Sequence, residues 1–158
     1  GDLQPNPTID NIPPPRSCSL TSLSGFSDKK KAIEEKVDEY STSTQSGIIE
    51  ELGQIFVRYA YLDKGKMAIV FDRYSGDEGK TDIAYYLENG RVFFVLKVVS
   101  KYEKPISVDS SGKIQGVRNY EYYLDNKEDL CYVYLNGKPQ LVDTETIDSV
   151  KLMISSLK

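Results

Sequence analysis

The stretch Ile83-Ala84-Tyr85-Tyr86-Leu87-Glu88-Asn89-Gly90-Arg91-Val92-Phe93-Phe94-Val95-Leu96 decides the fold of this chain. The apolar and aromatic runs on either side of Asn89-Gly90 are typical of strands, because such side chains pack well on a pleated surface. Asn-Gly between two such runs is the strongest short hairpin signal, since both positions tolerate a positive φ. The stretch therefore predicts two antiparallel strands, and the second, residues 91–102, is the most hydrophobic in the chain.

Segments in which apolar residues alternate with other residues, as in strands, lie on both sides of this hairpin in the sequence. Short polar turns separate them, and short connections join antiparallel neighbours because a parallel pair needs a long crossover. The sequence thus predicts an antiparallel, meandering sheet of about six strands. The expected strands are 55–62, 67–72, 83–87, 91–102, 114–125 and 130–136.

Helical patterns flank the region of strands. Apolar residues recur at helical spacing over residues 28–40 and again over 143–158, and a polar run at 41–47 is expected to end the first helix. The expected N-caps are Ser27 for the first helix and Asp143 or Thr144 for the second. The predicted fold class is α+β, with both helices packed on one apolar face of the sheet.

Residues 1–25 differ in composition from the rest of the chain. Five of the seven prolines lie there, followed by a run rich in Ser and Thr, and this pattern is typical of an extended tether. The Pro13-Pro14-Pro15 run is also compatible with a ligand for an aromatic groove. We therefore divide the chain into a Pro- and Ser-rich tether at 1–25 and one α+β domain at 26–158.

Composition excludes several kinds of function. The 158 residues include no histidine, which removes imidazole catalysis and His-ligated metal sites within this chain. The formal net charge of −4 argues against a nucleic-acid partner, because such a partner needs a basic face. The longest apolar run, residues 92–96, is far shorter than the roughly 18 residues of a membrane span. We predict no cofactor, no metal site and no transmembrane segment.

The two cysteines leave two interpretations open. Cys18 and Cys131 are far apart in sequence and form no CxxC motif. They are either one disulfide, if the chain is exported, or two inert thiols.

No motif in the sequence supports a catalytic site. Residues 76–81 have a glycine and lysine pattern near that of a phosphate-binding loop, but the glycine spacing is wrong and a strand follows instead of a helix. We interpret this segment as a hairpin loop. The carboxylates of the first helix interleave with lysines, as on a solvated helix face. No catalytic residue is predicted.

Four residues are candidates for a binding surface. In strand 91–102, Val92 and Phe94 are expected to lie under the helices, and Phe93 and Val95 to point to the opposite face. Tyr86 and Tyr123 are expected on that opposite face of their own strands. The sharper hypothesis is an exposed aromatic patch of Tyr86, Phe93, Val95 and Tyr123 that accepts a partner. The alternative is that the sheet curls, or that the tether and a loop cover this side.

The run from Ser27 to Asn136 resembles uncharacterised exported proteins and lipoproteins of gut-type bacteria. The resemblance lies in the opening amphipathic helix, in residues 85–95 and in the later Tyr122-Tyr123-Leu124-Asp125-Asn126. In such proteins a Pro- or Ser-rich tether commonly links a lipid-anchored N-terminus to the folded domain. The resemblance implies export to the periplasm or cell surface, with a lipid anchor on a removed N-terminal segment.

These observations lead to two functional hypotheses. The first is a non-catalytic secreted or cell-envelope domain that binds another protein or a cell-surface component. The second is a small enzyme that uses carboxylates without histidine and acts on a polysaccharide. A deep pocket with two close carboxylates would favour the second, and a shallow apolar face would favour the first.

Overall fold

The computed structural model describes residues 12–158 as one antiparallel sheet with two α-helices, which confirms the predicted α+β class. The sheet has eight strands rather than about six, and each strand pairs with its neighbours in sequence. The helices are α1 (Phe26–Glu35) and α2 (Thr144–Ser155), with 3₁₀ turns at Val37–Glu39 and Glu50–Leu52. The strands are β1 (Ser41–Ile49), β2 (Gln54–Asp63), β3 (Lys66–Ser75), β4 (Gly79–Glu88), β5 (Arg91–Tyr102), β6 (Ile114–Leu124), β7 (Leu130–Leu135) and β8 (Lys138–Gln140).

The two additional strands are the outermost ones. The expectation that residues 41–47 only end the first helix was wrong, because all of Ser41–Ile49 pairs with β2 in a continuous register. At the other end, Lys138–Gln140 forms a three-residue strand beside β7. In neither segment do apolar and polar residues alternate as they do in a half-buried strand. An edge strand can be exposed on both faces, so its sequence does not need this pattern.

The helix limits also differ from the prediction at the first helix. Gly25, with φ 88°, precedes α1, so Ser27 is not its N-cap, and α1 ends at Glu35 rather than at residue 40. Asp143 is the N-cap of the second helix, as predicted, and its carboxylate accepts hydrogen bonds from the Thr146 N–H at 2.8 Å and from the Thr146 hydroxyl at 2.6 Å. Asn89 and Gly90 both adopt positive φ, as the predicted hairpin turn requires.

The two helices pack on opposite faces of the sheet, and not on one face as expected. Tyr85 packs with Val150 and Ile154 of α2, whereas the adjacent Tyr86 packs with the cluster around Phe26 of α1. Since consecutive strand residues point to opposite sides, the sheet has an α2 face and an α1 face. Each helix therefore covers its own apolar cluster.

A β-bulge at Phe93 explains why the predicted facing of β5 was wrong. Leu87 pairs with Val92 and Tyr86 pairs with Phe94, so Phe93 is the extra residue of the bulged strand. As a result Val92 and Val95 join the cluster on the α2 face, while Phe93 and Phe94 both join the cluster on the α1 face. The bulge thus shifts the alternation of the whole strand by one residue.

A buried ion pair joins α2 to the sheet. The guanidinium of Arg58 donates to both carboxylate oxygens of Asp72 at 2.7 Å, and Asp72 is fully buried. Arg58 also donates to the carbonyl oxygen of Ser156, just after the end of α2, at 2.9 Å. This interaction fixes the end of α2 over strands β2 and β3.

The segment before α1 is attached to the far end of the sheet. Cys18 and Cys131 form a disulfide, which resolves the two interpretations of the cysteines in favour of the bond. The Asp125 carboxylate accepts hydrogen bonds from the N–H and hydroxyl of Ser19, at 2.9 and 3.0 Å. Residues 1–11 of the expected tether lie outside the described residues.

Within the described part, neither helix is long and apolar enough to cross a membrane.

Candidate ligand-binding site

The four residues predicted as a binding patch do not form one exposed surface. Phe93 and Val95 are 5% and 0% exposed, and the bulge places them on opposite faces. Tyr86 and Tyr123 lie with Phe93 on the α1 face and are partly buried. The structure therefore brings three of the four together, but beneath other parts of the chain.

The cover consists of α1 and the residues just before it. The Phe26 ring contacts Phe93 and Tyr123 at centroid distances of 6.0 and 5.2 Å. The Tyr86 hydroxyl donates to the Glu34 carboxylate of α1 at 3.1 Å, and burial together with this carboxylate raises the pKa of Tyr86 to about 12. These contacts are those of a packed core, so the patch is not available to a partner.

A more open site lies on the α2 face, beside the first half of α2. Lys97 of β5 pairs with Tyr120 of β6, and Val99 pairs with Arg118, so these four side chains share the α2 face with Val95. We call the cavity at this place the Lys97 pocket, and its volume is about 400 Å³. Its lining includes Lys97, Tyr120, Tyr122, Gln140, Asp143, Glu145, Thr146 and Ser149.

Two cations lie near one tyrosine ring here: Lys97 lines the pocket, and the exposed Arg118 lies beside the pocket rather than in its lining. The Lys97 Nζ lies 4.8 Å from the centroid of the Tyr120 ring, and the guanidinium carbon of Arg118 lies 5.9 Å from it. Arg118 also donates to the Tyr120 hydroxyl at 3.3 Å. The Tyr120 ring stacks on Tyr122 with an interplanar angle of 9°, which fixes its orientation. Cation–π attraction holds both positive groups near a flat aromatic surface.

Neither cation has a carboxylate partner. None of the ion pairs formed between the described residues includes Lys97 or Arg118. Burial lowers the pKa of Lys97, and the nearby positive charge of Arg118 lowers it further. The protein thus keeps a half-buried ammonium group beside a second, exposed cation, and no ion pair between described residues compensates either charge.

The opposite wall of the pocket is polar and belongs to the start of α2. Asp143 and Glu145 are exposed carboxylates there, and the Asp143 carboxylate is partly engaged with Thr146 as the helix cap. Hydrogen bonds from Thr146 hold the pKa of Asp143 below its usual value. The pocket therefore offers the positive donor Lys97 on the sheet side, with Arg118 just outside it, and negative acceptors on the helix side.

This arrangement suits a ligand that carries both an anionic group and hydroxyl groups. An anion would accept charge-assisted hydrogen bonds from Lys97 and Arg118, and hydroxyl groups would donate to the two carboxylates. The Tyr120 ring offers an apolar surface between them.

Two other groups of residues on the described part of the chain do not form a site. Cys18, Asp125 and Cys131 are close enough together to suggest a metal centre, but the two sulfurs are bonded to each other and are no longer thiolate ligands. Residues 76–78 join β3 to β4 as a hairpin loop, as predicted, but the loop is shorter than the predicted 76–81 because residues 79–81 already belong to β4. There the Asp77 carboxylate accepts hydrogen bonds from Ser107.

Sequence reasoning did not single out Arg118 and Tyr120. Lys97 was visible as a charge in the middle of the most hydrophobic strand, and this was the one available signal. The proximity of Lys97 to Arg118 depends on how β5 pairs with β6. The long loop between these strands means that their register cannot be predicted from the sequence.

Comparisons with protein-family models, with curated proteins and with solved structures find no match for this chain.

Proposed function

We propose that this chain is a non-catalytic binding domain of an exported protein, and that it recognises a carboxylated saccharide of a cell surface through the Lys97 pocket. The observation that carries the proposal is the pair of unpartnered cations, Lys97 and Arg118, over the Tyr120 ring at the edge of an open cavity. Lys97 is half-buried next to the like charge of the exposed Arg118 and has no ion-pair partner, and this arrangement lowers stability. A bound carboxylate would compensate this cost.

The disulfide supports the exported location. A bond between Cys18 and Cys131 persists in oxidising compartments and is rare where thiols are kept reduced. Export agrees with the resemblance of residues 27–136 to exported proteins and lipoproteins. A periplasmic or cell-surface position, with a lipid anchor on a removed N-terminal segment, belongs to this proposal.

The carboxylates favour binding over the alternative of a carboxylate-based enzyme. A general acid in glycoside hydrolysis needs a raised pKa. Among the described residues, the carboxyl groups with a shifted pKa are Asp109, Asp125 and Asp143, and hydrogen bonds hold each of these pKa values down. These groups stabilise turns and a helix end, so they have structural partners of their own.

A saccharide fits the pocket better than a simple anion. Inorganic anions would use Lys97 and Arg118 but would be repelled by Asp143 and Glu145 on the opposite wall. A sugar acid presents its carboxylate to the cations and its hydroxyl groups to the carboxylates, and its ring covers the Tyr120 face. The open pocket also leaves room for neighbouring sugars of a chain.

Calorimetric titration with an oligogalacturonate tests the proposal, with the methyl-esterified oligomer as the uncharged matched ligand. The wild type should bind the acid and not the ester. Lys97→Gln and Arg118→Gln should each weaken binding by about tenfold or more, since a charge-assisted hydrogen bond contributes roughly 1.5–3 kcal/mol. Added salt should weaken binding to the wild type.

Lys151→Gln is the control, because it removes the same charge from an exposed position of α2 outside the pocket. Equal affinity of the control and Lys97→Gln for the acid would place binding elsewhere. Absence of binding to the wild type, or equal binding of acid and ester, would contradict the proposed ligand class.

A further inference from the structure

The first strand leaves one side of its backbone open. β1 pairs with β2 along all of its nine residues, and within residues 12–158 no strand pairs with its outer side. Its side chains are exposed from Ser41 to Ile48. An edge of this kind presents a row of N–H and C=O groups that can pair with another strand.

β1 also lacks the features that usually block such pairing. Its sequence, Ser-Thr-Ser-Thr-Gln-Ser-Gly-Ile-Ile, contains no charged residue and no proline, and its register with β2 has no bulge. The opposite edge of the sheet is different, because β8 has only three residues, and these include Lys138 and Pro139. One edge is therefore closed to further pairing while the other is open.

We propose that β1 pairs antiparallel with β1 of a second copy of this chain, about a two-fold axis at Gln45. Two identical antiparallel strands match each other by symmetry, and the neutral side chains of β1 bring no like charges together. In this register Ser46 lies opposite Thr44 of the second copy. Ile48, which is 72% exposed in the single chain, lies opposite Thr42 of the second copy and becomes partly covered.

The closed edge at β8 limits this assembly to two copies. A two-fold contact uses the same strand on both partners, so no second β1 remains free. The pairing produces one continuous sheet of two chains with β8 at both ends. It does not involve the Lys97 pocket, which lies near β5, β6 and α2.

A charge-exchange experiment tests the two-fold axis. Gln45→Lys and Gln45→Glu each place like charges face to face and should shift the dimer towards the monomer in analytical ultracentrifugation. Mixing the two variants should restore a species of twice the 17.8 kDa chain mass. Gln115→Lys, which makes the same substitution at an exposed position of β6 away from β1, should form the dimer as the wild type does.

A cysteine at the axis gives a second readout. Both native cysteines are bonded to each other, so Gln45→Cys adds the single reactive thiol of the described chain. Mild oxidation should link two chains through it, whereas Lys138→Cys should not cross-link. Circular dichroism checks that each variant keeps the wild-type fold. A wild type that sediments as a monomer at high protein concentration, or a mixture of charge variants that stays monomeric, would overturn the proposal.

Discussion

Asp125 shows how a single side chain can organise several segments of this protein. Its carboxylate is 2% exposed and accepts hydrogen bonds from the backbone of Ser19, Lys127 and Asp129 at 2.9, 2.9 and 3.0 Å. Burial by itself would raise the pKa of Asp125, but these hydrogen bonds and that of the Ser19 hydroxyl hold the pKa below its usual value. One carboxylate thus fixes the β6–β7 turn and attaches the N-terminal segment to it.

Replacing Asp125 by Asn should lower the free energy of unfolding by about 1–3 kcal/mol, because an amide leaves some of these donors unsatisfied. The pKa of Asp125 is lower in the folded chain than in the unfolded one, where it is about 3.9. Its stabilising effect is therefore complete above that value and is lost as pH falls through the folded pKa. Urea unfolding should show a difference in the free energy of unfolding between wild type and Asp125→Asn at pH 7, and this difference should narrow as pH falls below about 3.9.

Asp148→Asn provides the comparison, since Asp148 is an exposed carboxylate on α2. It should change stability by less than about 0.5 kcal/mol at either pH. A gap for Asp125→Asn that does not depend on pH would show that its charge is not what the hydrogen bonds stabilise.

At the scale of single elements, α2 depends on one apolar stripe that faces the sheet. Val150 and Ile154 are 2% and 6% exposed and pack with Tyr85 and Val95, whereas Leu152 is 73% exposed on the other side of the helix. The stripe was visible in the sequence, because Ile147, Val150, Ile154 and Leu157 recur at helical spacing. This explains why the position and cap of α2 were predicted well.

Ile154→Ala and Leu152→Ala form a matched pair that tests this orientation. The buried substitution should cost about 2–5 kcal/mol through lost contacts and a cavity, and the exposed one less than about 0.5 kcal/mol. Both substitutions introduce Ala, the best helix former, so the difference in helix propensity is well below about 1 kcal/mol and opposes the expected cost at Ile154. Chemical denaturation measures both values, and similar costs for the two would mean that the helix does not pack as described.

Other elements could not be predicted because their causes do not lie in local periodicity. β1 is polar on both faces, so its sequence has the composition of a loop, and only pairing with β2 makes it a strand. The bulge at Phe93 depends on how Leu87 and Tyr86 pair across the hairpin. Strict alternation through residues 92–98 does not include this one-residue shift. It therefore predicted that Phe94 lies on the same face as Val92, whereas Phe94 lies on the α1 face. The Lys97 pocket was missed for the same reason, since it needs the register of two strands.

At the scale of the whole molecule, the disulfide connects the segment before α1 to β7. Cys18 and Cys131 are 113 residues apart, so the bond closes a loop that contains most of the described chain. In the chain-entropy account, such a crosslink stabilises the protein by restricting the unfolded state.

The double substitution Cys18→Ser and Cys131→Ser should lower the free energy of unfolding by about 3–5 kcal/mol. Reducing agent should lower the thermal midpoint of the wild type towards that of the double variant and leave the variant unchanged. Alkylation of the unfolded, unreduced wild type should give no mass shift. Two alkylated thiols, or a midpoint insensitive to reductant, would contradict the bond.

The order of the strands has a consequence for how quickly the sheet can assemble. Each of the eight strands pairs with the strand next to it in sequence, so every ladder forms by closing a short loop. Short loops have a low closure entropy, and folding rates rise as contacting residues lie closer together along the chain. The sheet can therefore grow one hairpin at a time from any starting pair. The contacts that span the chain, such as Arg58 with Ser156, add stability to a sheet whose formation does not have to wait for them.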